Sequence, residues 1–347
     1  MASTDRPVPA APAEPLIHDR ALAAPAFRTD DDAYAFADAL LLAERRGEWP
    51  LLRAQVVAGL MALRRRGAPP DTACREALAA FRYERGLEAA DRMRAWLDAR
   101  GLTAADWREG VVRDLARQGR SATTETDASD DDEVVAALRV DLHASDLLAW
   151  TLGELARFAA VAPPGTVPPP DALLVAPLPW DALGVPEAWL AARRPRIEAL
   201  LHGWEAWRAD ALTPEALERV VERRRLDWVW LSGTWVVHAS EDVARELHLC
   251  VTADGMALAD AAGQAGVAPM RGSLIIDEAP PAVRDALLAA GPGDLIGPIA
   301  TPAGHWIMTV ASKTLPSLDD PATRRRAERL LVEDAAARRV RERVRWA

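Results

Sequence analysis

The sequence predicts an α+β protein: a mostly helical N-terminal lobe, completed by a helix at the C-terminus, and a small antiparallel-sheet domain close to that end. Three observations predict it. Apolar residues recur at 3.6-residue spacing through much of the stretch from about residue 33 to residue 160. The proline-dense stretch 161–185, with "PPGTVPPPDALLVAPLPW", stops that pattern because proline lacks the amide proton a helix or central strand needs. Beyond residue 240, short apolar runs are separated by Pro292-Gly293 and Pro302-Ala303-Gly304, which is turn chemistry.

The elements follow in order. Residues 1–27, rich in Pro and Ala, read as a flexible tail. Asp30, Asp31 and Asp32 are placed to cap a helix whose stripe is Ala33, Phe36, Ala37, Leu40 and Leu41. Helices are expected at about 51–65, 71–85, 88–100 and 103–118, because "RRGAPPD", "RGLEAAD" and "ARGLTAADW" carry the Gly and Pro residues that suit helix ends and starts. The acidic stretch "SATTETDASDDDEVV" lacks the central glycine and the twelfth-position glutamate of a calcium loop and reads as a solvated linker. Val135, Leu138, Leu142, Leu148, Leu152 and Leu155 predict one long helix ending near Ala160, so 28–160 is the helical lobe and 161–185 the linker.

A helical connector is expected over 186–240, with helices at about 186–209 and 213–225, then an extended or hairpin-like piece in "RLDWVWLSGTWVVHASEDVAREL". In the sheet domain, 241–315, strands are expected in "ARELHLCVTA", "GDLIGPIAT" and "GHWIMTVASK", with helices at about 255–265 and 281–290. The last segment, 316–347, predicts a helix that packs on the lobe through Ala327, Leu330, Leu331, Ala337, Val340 and Val344, its arginines forming a solvated face for acidic neighbours.

Composition narrows the function. A chain of 347 residues has room for two or three bodies at ~100–200 residues each. With 50% hydrophobic and 27% charged residues it has the makings of a folded core. A net charge of −10 without a dominating basic patch argues against a nucleic-acid partner. Cys74 and Cys250 are too far apart for a C-x-x-C site and read as small buried hydrophobes. The N-terminus lacks the basic and apolar regions of a secretory signal, and no run of about 18 apolar residues occurs. A cytoplasmic protein without a membrane span is the expectation. The six histidines are scattered, and G-x-S-x-G, H-E-x-x-H and phosphate-loop motifs are missing, so neither metal nor cofactor is expected.

The segment "GPGDLIGPIATPAGHWIMTV" resembles the closing strands of the parvulin family of peptidyl-prolyl isomerases, in which L-x-P-G-E-x-S-G-P-V is followed by a T-x-x-G turn and a G-Y-H-I-I-x-V strand. Pro292, Gly293, Asp294, Gly297, Pro298, Ile299, Thr301, Gly304, Ile307 and Val310 match in register. The likeness covers about Arg245–Lys313, a fifth of the chain. Phe81–Arg117 is similar to the N-terminal region of SurA-type parvulin chaperones, whose helical lobe binds polypeptide and includes a final C-terminal helix.

The resemblance implies a four-stranded antiparallel sheet flanked by helices and a proline groove with a histidine pair, a Cys or Asp, and apolar Met and Phe. Carried over, the first histidine falls on His248 in "RELHLCV", the one candidate catalytic residue. The second falls on Trp306, with His305 pointing to the other sheet face. The Cys/Asp position falls near Ala265, where no acid or thiol stands. The phenylalanine falls on Val283 and its methionine on Ala279 or Pro280, with Met270 able to swing in. Val283, Leu288, Trp306 and Met308 are then expected to line an apolar trough that, with Met270, holds a peptide.

Rotating an X-Pro bond needs no nucleophile or metal, only a site that favours the twisted amide. Losing the polar members points to binding without catalysis. The expectation is a peptide- or unfolded-chain-binding chaperone or adaptor with a degenerate parvulin domain, resembling isomerase-related proteins of bacterial systems that mature ribosomally made peptides; its partners would be a precursor peptide and its modifying enzyme. An active prolyl isomerase and a structural scaffold are the alternatives.

Overall fold

The structure is a computed structural model that describes residues 17, 19–118, 131–162 and 178–347. These divide into two units, one running to Arg208 and including Ala335–Ala347, the other Ala209–Asp334. The class is α+β, with fourteen α-helices and two small antiparallel sheets among the described residues. The divide at 208/209 falls inside the stretch expected to be a connector. Most of the expected linker, and the whole acidic segment 121–130, lie outside the described residues.

The first unit begins with α1 (Arg20–Ala23), β1 (Pro25–Arg28) and β2 (Ala33–Ala35), then α2 (Phe36–Arg45), α3 (Trp49–Arg66), α4 (Asp71–Glu84), α5 (Ala90–Arg100), α6 (Ala104–Arg117), α7 (Asp131–Ala144), α8 (Ala149–Val161) and α9 (Glu187–Ala211). Regular structure therefore begins before the expected tail ends: Asp19 caps α1 by accepting from the amides of Ala21 and Leu22. Ala33 opens a strand rather than a helix, because Ala33–Ala35 pairs with β1.

Helix α2 is buried from Ala37 to Glu44, so its two carboxylates need partners inside. Asp38 accepts the Ala35 amide at 2.7 Å, and Glu44 accepts from the Trp180 indole N–H. Helix α6 starts at a capping box in which Thr103 and Asp106 satisfy each other's backbone amides. The single long helix expected to end near Ala160 is two. Ser145 Oγ donates to the Asp141 carbonyl at 2.7 Å and accepts the Leu147 amide at 3.2 Å, a local alternative to continuing α7.

The second unit contains α10 (Pro214–Arg223), β3 (Trp230–His238), α11 (Glu241–Thr252), α12 (Leu258–Gln264), β4 (Met270–Ile275), two short 3₁₀ turns (Ile276–Glu278 and Pro281–Val283), α13 (Arg284–Ala289), β5 (Leu295–Thr301), β6 (Gly304–Thr314) and the first part of α14 (Pro321–Arg343). The end of α14 and β7 (Arg345–Trp346) belong to the first unit. There β7 pairs with β1 through Phe27 and Trp346, giving the sheet order β2-β1-β7, and Val340 and Val344 join the lobe core.

The four-stranded sheet has the order β4-β3-β6-β5 with every pair antiparallel. Two sequence expectations change here. "ARELHLCVTA" is not a strand: it lies in α11, where Ser240 caps the helix and Val243, Ala244 and Leu247 pack inward at helical spacing. The sheet's first strand is the tryptophan-rich β3, and "MRGSLI" supplies a further strand, β4, that the sequence pattern does not announce.

Strand alternation sorts the side chains into two faces. Val236 and Ile307 face α11 and α12. Leu231, Trp235, Val237, Ile296, Ile299, Trp306, Met308 and Val310 share the opposite face with Val283 and Leu287.

Candidate functional site

The residues suggested by resemblance land in three different settings. Val283, Trp306 and Met308 are sealed in the core, with Trp306 only 4% exposed. The 3₁₀ turn ending at Val283 and the helix α13 lie against them, and Lys313 holds that helix down by donating to the carbonyls of Leu287, Leu288 and Ala290. The expected open trough through these three residues is therefore corrected: they are packing, and burial of that apolar surface stabilises the unit.

Leu288 is half-buried at the edge of the same cluster, and Met270 is 42% exposed at the start of β4. His248 does not lie on the sheet, because the segment that carries it is α11. Its Nδ1 is shielded from solvent and has no hydrogen-bond partner among the described residues. His305 lies opposite His238 on the face turned away from Trp306, as alternation requires.

The position that sequence reasoning missed is Trp235. It sits in the middle of β3, opposite Met308 on one side and Met270 on the other. Its ring runs over Gly272, so close that a Cβ on that residue would stand 3.5 Å from the indole. Trp235 is half-buried, as are Val237 and Ile299, while Met270 is exposed. These four form the open end of the apolar face whose other end α13 covers. The signal available in the sequence was the β-branched and aromatic "TWVV" run, whose strand propensity exceeds that of "ELHLCV".

The strand positions on this face are Leu231, Gly233, Trp235 and Val237 of β3, with the residues that register places beside them. Lys313 and Thr301 are its polar members, and both are occupied: Lys313 on α13, and Thr301 Oγ1 donating to the Gly304 carbonyl at 2.7 Å. No carboxylate, thiol or imidazole of these strands points to it. The face can hold apolar side chains; it offers no strand group to polarise a peptide carbonyl.

The first unit holds a separate depression of about 270 Å³ between α4, α6 and the end of α7, floored by Phe81 and rimmed by Glu84, Arg85, Asp114 and Asp146. The Arg85 guanidinium lies 4.0 Å over the Phe81 ring. Nearby, burial and the positive charge of Arg100 hold His143 down to about 4, against a hydrogen bond of its Nε2 to the Ala21 carbonyl at 3.0 Å. His143 is thus neutral and structural. Asp141, pushed up by burial and pulled down by Arg113, forms a buried pair with that arginine at 2.9 Å.

Cys74 is buried and Cys250 half-buried, both as free thiols. No group of three or more His, Cys, Asp or Glu among the described residues is arranged to hold a metal ion. No described helix is long and apolar enough to cross a membrane. No protein-family model matches the chain, and no curated protein matches it.

Proposed function

We propose that the chain binds peptide or unfolded polypeptide as a chaperone or adaptor, with the second unit a degenerate parvulin-like domain and the first a SurA-like helical lobe. The single observation that carries this reading is the apolar sheet face around Trp235, open at one end and without a free polar strand group. The order β4-β3-β6-β5, antiparallel throughout and flanked by helices, supports the parvulin-like assignment. The return of the C-terminal segment to the first unit supports the SurA-like one.

The contact surface in this reading is Trp235, Val237, Ile299 and Met270, not the sealed trio. An indole offers a broad apolar face with little side-chain entropy to lose, and β4 is an edge strand whose backbone is available for pairing. The client is a precursor peptide presented to its modifying enzyme in the cytoplasm, a context that rests on the family resemblance.

The test uses the full chain. Anisotropy of a fluorescently labelled, permanently unfolded reduced and carboxymethylated protein rises on adding it, while a proline-limited refolding reaction is not accelerated. Acceleration proportional to protein concentration overturns the non-catalytic reading, and an unchanged anisotropy overturns the binding one.

A further inference from the structure

A second set of residues in the Ala209–Asp334 unit makes a different kind of site. Where β3 and β4 meet the start of α14, a depression of about 220 Å³ is lined by Trp228, Trp230, Ile275, Arg325, Arg326 and Arg329, with no carboxylate in its wall. Trp228 and Ile275 are buried and Trp230 is half-buried, so the floor is rigid and apolar.

The three arginines differ. Arg326 lies 5.4 Å from the centre of the Trp228 ring and is committed to Asp277 at 2.7 Å and Glu278 at 2.7 Å. Arg325 and Arg329 are exposed, and neither is in a hydrogen bond or ion pair among the described residues; the Asp320 carboxyl is held below its usual range mainly by hydrogen bonds from Thr323, with Arg325 a minor contributor. Being four residues apart on one helix, they are neighbours on its surface.

We propose that this depression binds the C-terminal residue of a peptide, its apolar side chain against the indoles and its α-carboxylate between Arg325 and Arg329. The juxtaposition decides for a chain end over an internal acidic segment: an apolar floor beside two unpaired arginines matches a residue whose side chain is apolar and whose own backbone carboxylate carries the charge, whereas an internal Asp or Glu puts its charge at the tip of the side chain that would have to cover the indoles. A nucleic-acid strand fits worse, because the adjoining depression sets Asp277, Glu278 and Glu333 against Arg224, Arg326 and Arg329, a charge-balanced wall that does not extend the positive field along a run of phosphates.

The inference is independent of the sheet-face reading, since the two sites share no side chain. Calorimetric titration of the full chain with an N-acetylated hexapeptide ending in leucine, as free acid and as amide, tests it. The free acid is expected to bind about tenfold more tightly than the amide. The double variant Arg325→Gln, Arg329→Gln removes that difference while circular dichroism and melting stay as in the wild type, because both side chains are exposed. Trp235→Ala leaves it intact. Equal affinity for acid and amide, no binding of either, an unchanged double variant, or tighter binding of a single-stranded oligonucleotide overturns the proposal.

Discussion

Truncating a sealed indole and truncating an imidazole on a half-open helix flank have very different costs. Trp306→Ala empties a core position and is expected to destabilise by about 3–5 kcal/mol. His248→Ala, at a ring whose Nδ1 has no partner among the described residues, is expected to stay within about 0.5 kcal/mol. Denaturant midpoints of the two variants check both figures. His143 gives a pH prediction. In the unfolded chain it titrates near the ordinary histidine value of 6.5, and in the folded chain at about 4. Between these values the unfolded state binds more protons, so the contribution is whole above pH 6.5 and is lost as pH falls toward 4, by about 3 kcal/mol. Asp141, shifted upward, titrates in the opposite sense. The difference in unfolding free energy between wild type and His143→Gln, followed from about pH 7.5 to about pH 4.5, isolates the histidine: the wild type is expected to lose more.

At the scale of elements, helix ends that carry their own chemistry were legible. The capping box at Thr103 and the left-handed Gly101 mark the start of α6 and the end of α5, close to where the sequence places them. Thr103→Ala should therefore cost about 1 kcal/mol, read as a lower melting temperature. Helix α11 was not legible, because "ELHLCV" satisfies a two-residue alternation as well as a helical one. What decides is Ser240, whose hydroxyl accepts the Val243 amide, with Glu241 and Asp242 in the first turn. Strand β4 was hidden by Gly272-Ser273, residues that read as a turn; the fold uses the glycine to let Trp235 lie across the strand. The break between α7 and α8 had only Ser145 as its signal. Reading α11 as a strand puts His248 on the sheet and leaves Trp235 unassigned, and the expected trough then falls on Val283, Trp306 and Met308, which the fold buries.

At the scale of the molecule, the helical majority and the antiparallel sheet follow from periodicity and turn residues, whereas the division of the chain does not. Proline density suggests a boundary at 161–185, but the units part at 208/209 and again at 334/335, inside two continuous helices that carry no breaker there. Sequence punctuation marks where a helix ends, not which core its face joins. The units have cores of their own, and the proposed function depends on one of them: in that proposal the sheet face around Trp235 anchors polypeptide by apolar contact, beside the edge strand β4. The most direct measurement is the affinity of Trp235→Ala for the labelled unfolded protein, alongside its circular dichroism. A loss of about tenfold or more with an unchanged spectrum is the expected result, since truncating a buried aromatic anchor commonly costs about 2 kcal/mol or more, roughly thirtyfold. Wild-type affinity in a folded Trp235→Ala protein contradicts apolar capture at this face.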